Sequence, residues 1–339
     1  MISHSRSRRL RTAGRCIAAG VALVAVHLSS ARAWAEEPAT RIAWPRSQDQ
    51  LWLVSDRNLG CDVEAQAANL QYWRYDRETC WGRASLPDLL ADDAQGVTIV
   101  FVHGNRIPQD EAFTKGWTAY RTLMQCADER PVRFVIWSWP SEAVRGPIND
   151  ARVKACRTNP SGYYLGWFLD HLDPAARVSL WGHSLGARVI TGALHLLGGG
   201  EVDGHRITQR LHATRAPMQA VFLVAAIDSD WLMPGHYHGN ALSQVSSMLL
   251  VNNGCDALLK HYHLIYADRG HEQALGYAGL DRQGVSETDW SKISQTDASW
   301  QLGRRHEFMG YLGSPELVAR MRPYLLFTPD AAEHEAIGP

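Results

Sequence analysis

The chain has little net charge to direct it toward any partner: 34 Lys and Arg nearly balance 35 Asp and Glu. Past the first fifteen residues no basic run appears, so the electrostatic footprint of a nucleic-acid-binding protein is missing and none is expected as a partner. No phosphate-cradling glycine loop and no dinucleotide fingerprint is found, which removes the commonest nucleotide cofactors. Internal repeats and low-complexity tracts are absent as well. His236-x-His238 and His261-x-His263 find no third ligand at convincing spacing, so neither a catalytic metal nor another cofactor is expected. Cysteine is sparse, at six. What is present is a normal complement of core-forming residues, 45% hydrophobic against 20% charged, in a length that suits one large domain or two ordinary ones.

Residues 1–35 read as a segment apart from the fold. Arg6, Arg8, Arg9, Arg11 and Arg15 form a basic start, and Cys16–Leu28 is an apolar run too short to span a bilayer comfortably. Ala33-Trp34-Ala35 then offers the small-x-small pattern of a signal-peptidase site. The expectation is a cleaved export signal and a periplasmic or secreted protein with no stable membrane span; the alternative is an uncleaved N-terminal anchor. Ser7-Arg8-Arg9 resembles the start of a twin-arginine signal without completing it. Export permits disulfides, and Cys61 with Cys80 and Cys126 with Cys156 each close a modest loop, leaving Cys255 over. The alternative is five buried thiols.

Residues 36–96 read as a lead-in with strands at Gln50–Val54 and Leu70–Tyr75. From Val97 to residue 327 the pattern becomes regular. Val97–Val102, Val132–Trp139, Arg177–Trp181, Gln219–Ile227 and Met248–Asn252 are continuous apolar runs typical of strands buried on both faces. Helical segments fall between and after them, at Asp110–Cys126, Ser161–Leu172, Leu185–Leu197 and Pro315–Leu326. Residues 328–339 read as a polar tail. The alternation predicts an α/β fold with a mainly parallel sheet and helices on both faces. Functional groups on such a sheet gather at the carboxyl ends of its strands.

Gly182-His183-Ser184-Leu185-Gly186 lies between a predicted strand and a predicted helix, where a sharp turn would lift the serine hydroxyl clear of the sheet. Acyl transfer also needs donors for an oxyanion. The backbone N–H of Leu185 and that of Asn105, in the Phe101-Val102-His103-Gly104-Asn105 turn, are the candidates. His103 fits a loop-orienting role better than a catalytic one. The Gly/Pro-containing stretch Ser141–Asn159 is a candidate lid. The roughly twenty residues between Ile227 and Met248 leave no room for a large cap. Trp137, Trp139, Tyr163, Trp167 and Trp231 are either pocket walls or, more simply, core aromatics.

The two turns and their order resemble the α/β-hydrolase superfamily over residues 97–326, about two-thirds of the chain, and more narrowly a branch of predicted serine esterases. GHSLGARV and NNGCDALLKHY are the segments most like the family. The resemblance implies the α/β-hydrolase fold and a Ser, acid, His triad in that chain order. Ser184 is then the nucleophile. The family position of the acid favours Asp256, with Asp228 or Asp230 as alternatives. The histidine must follow: His306 fits, His271 is the runner-up, His334 sits in the tail, and His261 and His263 are expected on a helix pointing away. The implied activity is hydrolysis of a small-molecule or lipid-like ester through an acyl-enzyme. A catalytically silent scaffold and an acyltransferase are the rival readings.

Overall fold

The central strands form where branched and aromatic residues run without interruption, and among the described residues nine strands build one sheet. The computed structural model describes residues 44–91, 96–264 and 272–328; the segment read as an export signal, His271, His334 and nearly all of the tail lie outside the described residues. The strands are β1 (Gln50–Ser55), β2 (Gln71–Asp76), β3 (Cys80–Ala84), β4 (Val97–Val102), β5 (Val132–Ser138), β6 (Arg177–His183), β7 (Met218–Leu223), β8 (Val245–Asn252) and β9 (Ile293–Asp297). Their order across the sheet is β3-β2-β1-β5-β4-β6-β7-β8-β9. Only β2 runs against its neighbours; every other pairing is parallel. Every residue of the central strands β4 and β5 is buried, which is why their sequences do not alternate.

Two short helices, α1 (Val63–Gln66) and α2 (Leu86–Ala91), accompany the leading strands. Two long ones follow β4 and β5: α3 (Gln109–Met124) and α4 (Pro147–His171). Helix α5 (Leu185–Leu197) follows β6, and α6 (Leu275–Ala278), α7 (Glu287–Trp290), α8 (Ser299–Leu302), α9 (Phe308–Leu312) and α10 (Pro315–Leu326) fill the C-terminal third. Alternate residues of each strand serve opposite faces. Phe101, Phe134 and Trp181 face one layer with α3, α9 and α10: Phe101 and Trp181 both lie against Phe308 of α9, and Ser179 Oγ of β6 donates to Leu325 O of α10 at 2.8 Å. On the other face Trp137 packs on Phe168 of α4, and α4 packs along α5. The expected α/β architecture, a mainly parallel sheet covered on both sides, is present.

Several boundaries differ from the sequence expectation, each for a local reason. Of Ser141–Asn159 only the first six residues are irregular, and the rest is helix. Pro147 occupies the first turn of α4, where its missing N–H is harmless, and the helix continues 25 residues through Pro160. The fourth predicted strand stops at Leu223, because Val224 turns away at φ 43°, a strained conformation for a β-branched residue. Strand β9 was missed: Ile293-Ser294-Gln295-Thr296-Asp297 is an edge strand with no buried run to announce it.

The five described cysteines are unbonded and exposed, correcting both the disulfide expectation and its buried-thiol alternative. Cys126 follows α3 and Cys156 lies on α4, helices on opposite faces of the sheet. Cys61 lies past the carboxyl end of β1, whereas Cys80 opens β3, which runs parallel to β1, so a strand's length separates them.

Candidate active site

The site is built from the carboxyl ends of β4, β6 and β8, the edge where an α/β sheet presents its functional groups. At the end of β6 the chain reverses into α5 through Ser184, whose φ of 54° and ψ of −121° are rarely adopted by a residue with a side chain. The turn holds because its flanking residues have no side chains. A Cβ on Gly186 would lie 2.2 Å from Val102 O, and one on Gly182 would lie 2.8 Å from Ala187 N. The strained serine is fixed by Ser184 N donating to Leu223 O at 2.9 Å and Ser184 O accepting from Ala226 N at 3.2 Å. Its side chain is thereby presented at the floor of a cleft with only 4% of the residue exposed.

The structure brings Ser184, His306 and Asp256 into one hydrogen-bonded line. Ser184 Oγ donates to His306 Nε2 at 2.9 Å, and His306 Nδ1 donates to Asp256 Oδ2 at 2.7 Å. Asp256 is fully buried, and its other oxygen accepts from the Leu258 and Leu259 N–H groups at 2.8 and 2.9 Å. A carboxylate held by two backbone donors has one oxygen left for the imidazole and one orientation in which to offer it. The other acids do not meet this histidine. Asp228 accepts from Tyr262 OH at 2.7 Å, and its burial pushes the carboxyl up from the ordinary carboxylate range despite that bond. Asp230 pairs with His236 at 2.9 Å.

Asn105 and Leu185 face Ser184 across the same cleft. Leu185 is the first residue of α5, so its N–H has no acceptor within the helix. The Asn105 turn is held from two sides. Asp150 of α4 accepts from Asn105 Nδ2 at 2.8 Å, from Arg106 Nε at 2.9 Å and from Val144 N at 2.6 Å. These bonds and the Arg106 charge keep its carboxyl below the usual range although burial opposes them. Behind the turn, Arg57 donates to Ser138 Oγ at 2.7 Å and to Ile107 O at 2.8 Å, meets His103 Nε2 at 3.3 Å and pairs with Glu142. His103 donates from Nδ1 to Gly104 O at 2.9 Å and stacks on Trp139. Burial, reinforced by the Arg57 charge, lowers its pKa to about 3, so it is a neutral brace for the loop.

The cleft holds about 520 Å³, within the range of small-molecule sites. Its walls are largely apolar, with Ile148, Leu258, Leu259, Tyr262 and Leu264 around the serine. Of the aromatics read as walls or, more simply, as core, Trp137 and Trp139 are wholly buried, Tyr163 and Trp231 nearly so and Trp167 half-buried, and none lines the cleft. His261, expected to point away, lines the cleft, because the segment after Asp256 is a kinked 3-10 helix (Leu259–Leu264) rather than a regular one. Among the described residues no three His, Cys, Asp or Glu side chains cluster as a metal site, and no helix is long and apolar enough to cross a membrane.

Three supporting residues went unnoticed in the sequence. His183, the variable position of the serine motif, donates from Nε2 to His306 O at 2.9 Å. Burial and the neighbouring His306 lower its pKa to about 3, so its ring is neutral and steadies the His306 backbone. Asn253, fully buried, donates to Gly303 O at 2.9 Å and Arg305 O at 3.0 Å, while its Oδ1 accepts from Cys255 N at 3.0 Å. It ties the acid's turn to the histidine's loop. Asp150 is the third, some forty-five positions from the turn it holds. The only sequence signal was a polar residue where a buried one was needed, and that becomes visible only with the fold.

No protein-family model and no curated protein matches the chain. Among solved structures it is similar to esterase B from Lactobacillus rhamnosis, described as inhibited with a C4-C4 SN3 tributyrin phosphonate. The likeness has 14% sequence identity, covers 85% of this chain and 89% of that one, and has a TM-score of 0.35. At so loose an overlap the geometry of the site alone bears on function.

Proposed function

We propose that this protein is an exported serine hydrolase of esterase type, with the α/β-hydrolase arrangement that its two turns resemble. One observation carries the reading: a strained, buried serine is hydrogen-bonded through a histidine to a buried carboxylate. His306 takes the proton of Ser184 as Oγ attacks the ester carbonyl, and Asp256 stabilises the imidazolium so formed. The Leu185 and Asn105 N–H groups receive the oxyanion. His306 then protonates the leaving alcohol. A water deprotonated by the same histidine attacks the acyl-enzyme, releasing the acid and restoring Ser184. Metal assistance is not required by this scheme.

The apolar walls at Ile148, Leu258 and Leu264 favour an uncharged acyl or alkyl group over a charged one. A silent binding module has no need of a strained serine aligned with a histidine, which weighs against that reading. The cleft opens to solvent, so water is the acceptor at hand and hydrolysis is favoured over acyl transfer. The basic start, apolar run and Ala33-Trp34-Ala35 site of the sequence support export.

The test is turnover of p-nitrophenyl butyrate by the purified protein and by Ser184→Ala. The variant is expected to unfold at the same temperature and to lose activity by about 10⁴-fold or more. A folded Ser184→Ala with undiminished turnover would overturn the mechanism.

A further inference from the structure

The cleft over Ser184 has an exposed apolar rim that ester hydrolysis alone does not require. Among the described residues seven large apolar side chains are well exposed, and three of them line this one cleft: Ile148, Leu258 and Leu264, at 46%, 57% and 39%. Single apolar residues on a surface need no explanation, but a cluster at one mouth does. They come from different parts of the chain, which two bonds bring together. Arg152 of α4, one turn beyond Ile148, donates from Nη2 to Leu264 O at 3.2 Å. Ala257 N donates to Arg304 O at 3.2 Å, setting the Leu258 segment beside the loop of His306.

Charge is uneven around the same rim. The whole chain nearly balances, 34 Lys and Arg against 35 Asp and Glu, but the segments that carry the rim, 105–106, 145–152, 257–264 and 304–307, do not. They hold exposed Arg106, Arg145, Arg152, Lys260, Arg304 and Arg305 against a single exposed acid, Glu307. Their other acid, Asp150, is buried and pairs with Arg106 at 2.9 Å. Of the flanking acids, Glu142 pairs with Arg57, which also feels Asp110, and Glu111 pairs with Lys115 at 3.0 Å. Glu272 shares an adjoining hollow with Lys260. The surplus leaves no basic run in the sequence because its members are scattered along the chain. Apolar side chains set among arginines and lysines suit an anionic bilayer, where hydrocarbon enters the interface and cations meet headgroup phosphates. A nucleic acid or an acidic protein would use the charge and leave the apolar side chains unexplained.

We propose that this rim docks on an anionic phospholipid surface, with Ile148, Leu258 and Leu264 entering the headgroup layer and the surrounding cations meeting the phosphates. Docking itself does not depend on the esterase reading. Its consequence for substrate rests on that reading: the mouth of the cleft faces the lipid, and an ester held in the bilayer is what reaches Ser184.

Binding is measured by co-sedimentation of the purified protein with vesicles of phosphatidylcholine alone and of equal parts phosphatidylcholine and phosphatidylglycerol. The wild type is expected to bind the mixed vesicles at least about tenfold more tightly and to be released as salt rises. Lys260→Glu combined with Arg304→Glu, both at exposed positions, is expected to weaken that binding about 25-fold or more, about fivefold for each cation removed. Ile148→Ser combined with Leu258→Ser should weaken it about tenfold or more. Arg177→Glu, exposed at the first residue of β6 and so at the opposite edge of the sheet, is expected to bind as the wild type does. No turnover is read, so failure of the esterase reading leaves this test standing. The proposal is overturned if the wild type does not prefer the anionic vesicles, or if Arg177→Glu loses as much binding as the charge-reversed pair. It is equally overturned if that pair binds as the wild type does, as when residues 1–35 carry the binding. A serine pair that binds as the wild type does would make the rim a site for a polyanion and overturn the lipid surface.

Discussion

Removing a carboxylate from this protein should make it more stable. Asp56 follows β1 with 1% of its surface exposed, and neither carboxyl oxygen makes a hydrogen bond of ordinary geometry. Burial pushes its pKa from 3.8 up to about 7; the Ser161 hydroxyl and the Arg57 charge ease ionisation, and Glu142 opposes it. A folded value above the unfolded one means that folding favours the protonated acid. The contribution is whole below pH 4, declines as pH rises, and is gone above the folded value near 7. A gap of about three units at ~1.4 kcal/mol per unit sets an upper limit of about 4 kcal/mol. Asparagine keeps the shape and cannot ionise. Asp56→Asn is therefore expected to exceed the wild type in unfolding free energy by about 2–4 kcal/mol at pH 8, with the gain shrinking toward zero at pH 4. Urea unfolding followed by tryptophan fluorescence at the two pH values measures the difference. A variant less stable than wild type at pH 8, or a difference independent of pH, would show that Asp56 is buried as a partnered carboxylate and that the reasoning is wrong.

Other consequences follow from the site. Asn253→Ala removes two hydrogen bonds to the histidine's loop and one within the acid's own turn, at about 1 kcal/mol each. Urea denaturation should show a loss of about 3 kcal/mol, and ester turnover should fall in kcat more than it rises in KM; a catalytically normal, equally stable variant would remove Asn253 from the account. Buried neutral His103 and His183, each lowered to about 3, favour the fold above their ordinary value of 6.5. That stability is lost as pH falls toward 3. Acid titration monitored by circular dichroism should show unfolding within that window, shifted to lower pH in His103→Gln if the variant folds. An unshifted midpoint would deny His103 a part in acid unfolding.

The central sheet was legible because burial on both faces leaves an unmistakable sequence. VTIVFV needed no alternation to be read as a strand, and β4 spans the same six residues that the pattern marked. The serine turn was legible for a different reason: Gly182 and Gly186 stand where backbone meets backbone and no other residue fits. Illegible elements owe their state to neighbours. Ser141–Asn159 was read as a lid for its Gly and Pro, yet Pro147 suits a helix start, and the helix runs on through Pro160, packed along α5. Strand β9 exists because β8 offers it an edge, not because its own residues demand it. Asn253 and Asp150 hold the site across fifty and forty-five positions, distances at which sequence spacing carries no information. Asp256 and His306 were reached only through resemblance, and the fold places them together by way of those same distant bonds.

The most direct test of the account is covalent labelling with a fluorophosphonate, read by mass spectrometry of the Ser184 peptide. The purified protein should carry one label on Ser184, Ser184→Ala should carry none, and His306→Ala should label at least about a hundredfold more slowly. A folded wild type that stays unlabelled, or a Ser184→Ala variant that labels at the wild-type rate, would contradict the claim that this serine is the nucleophile.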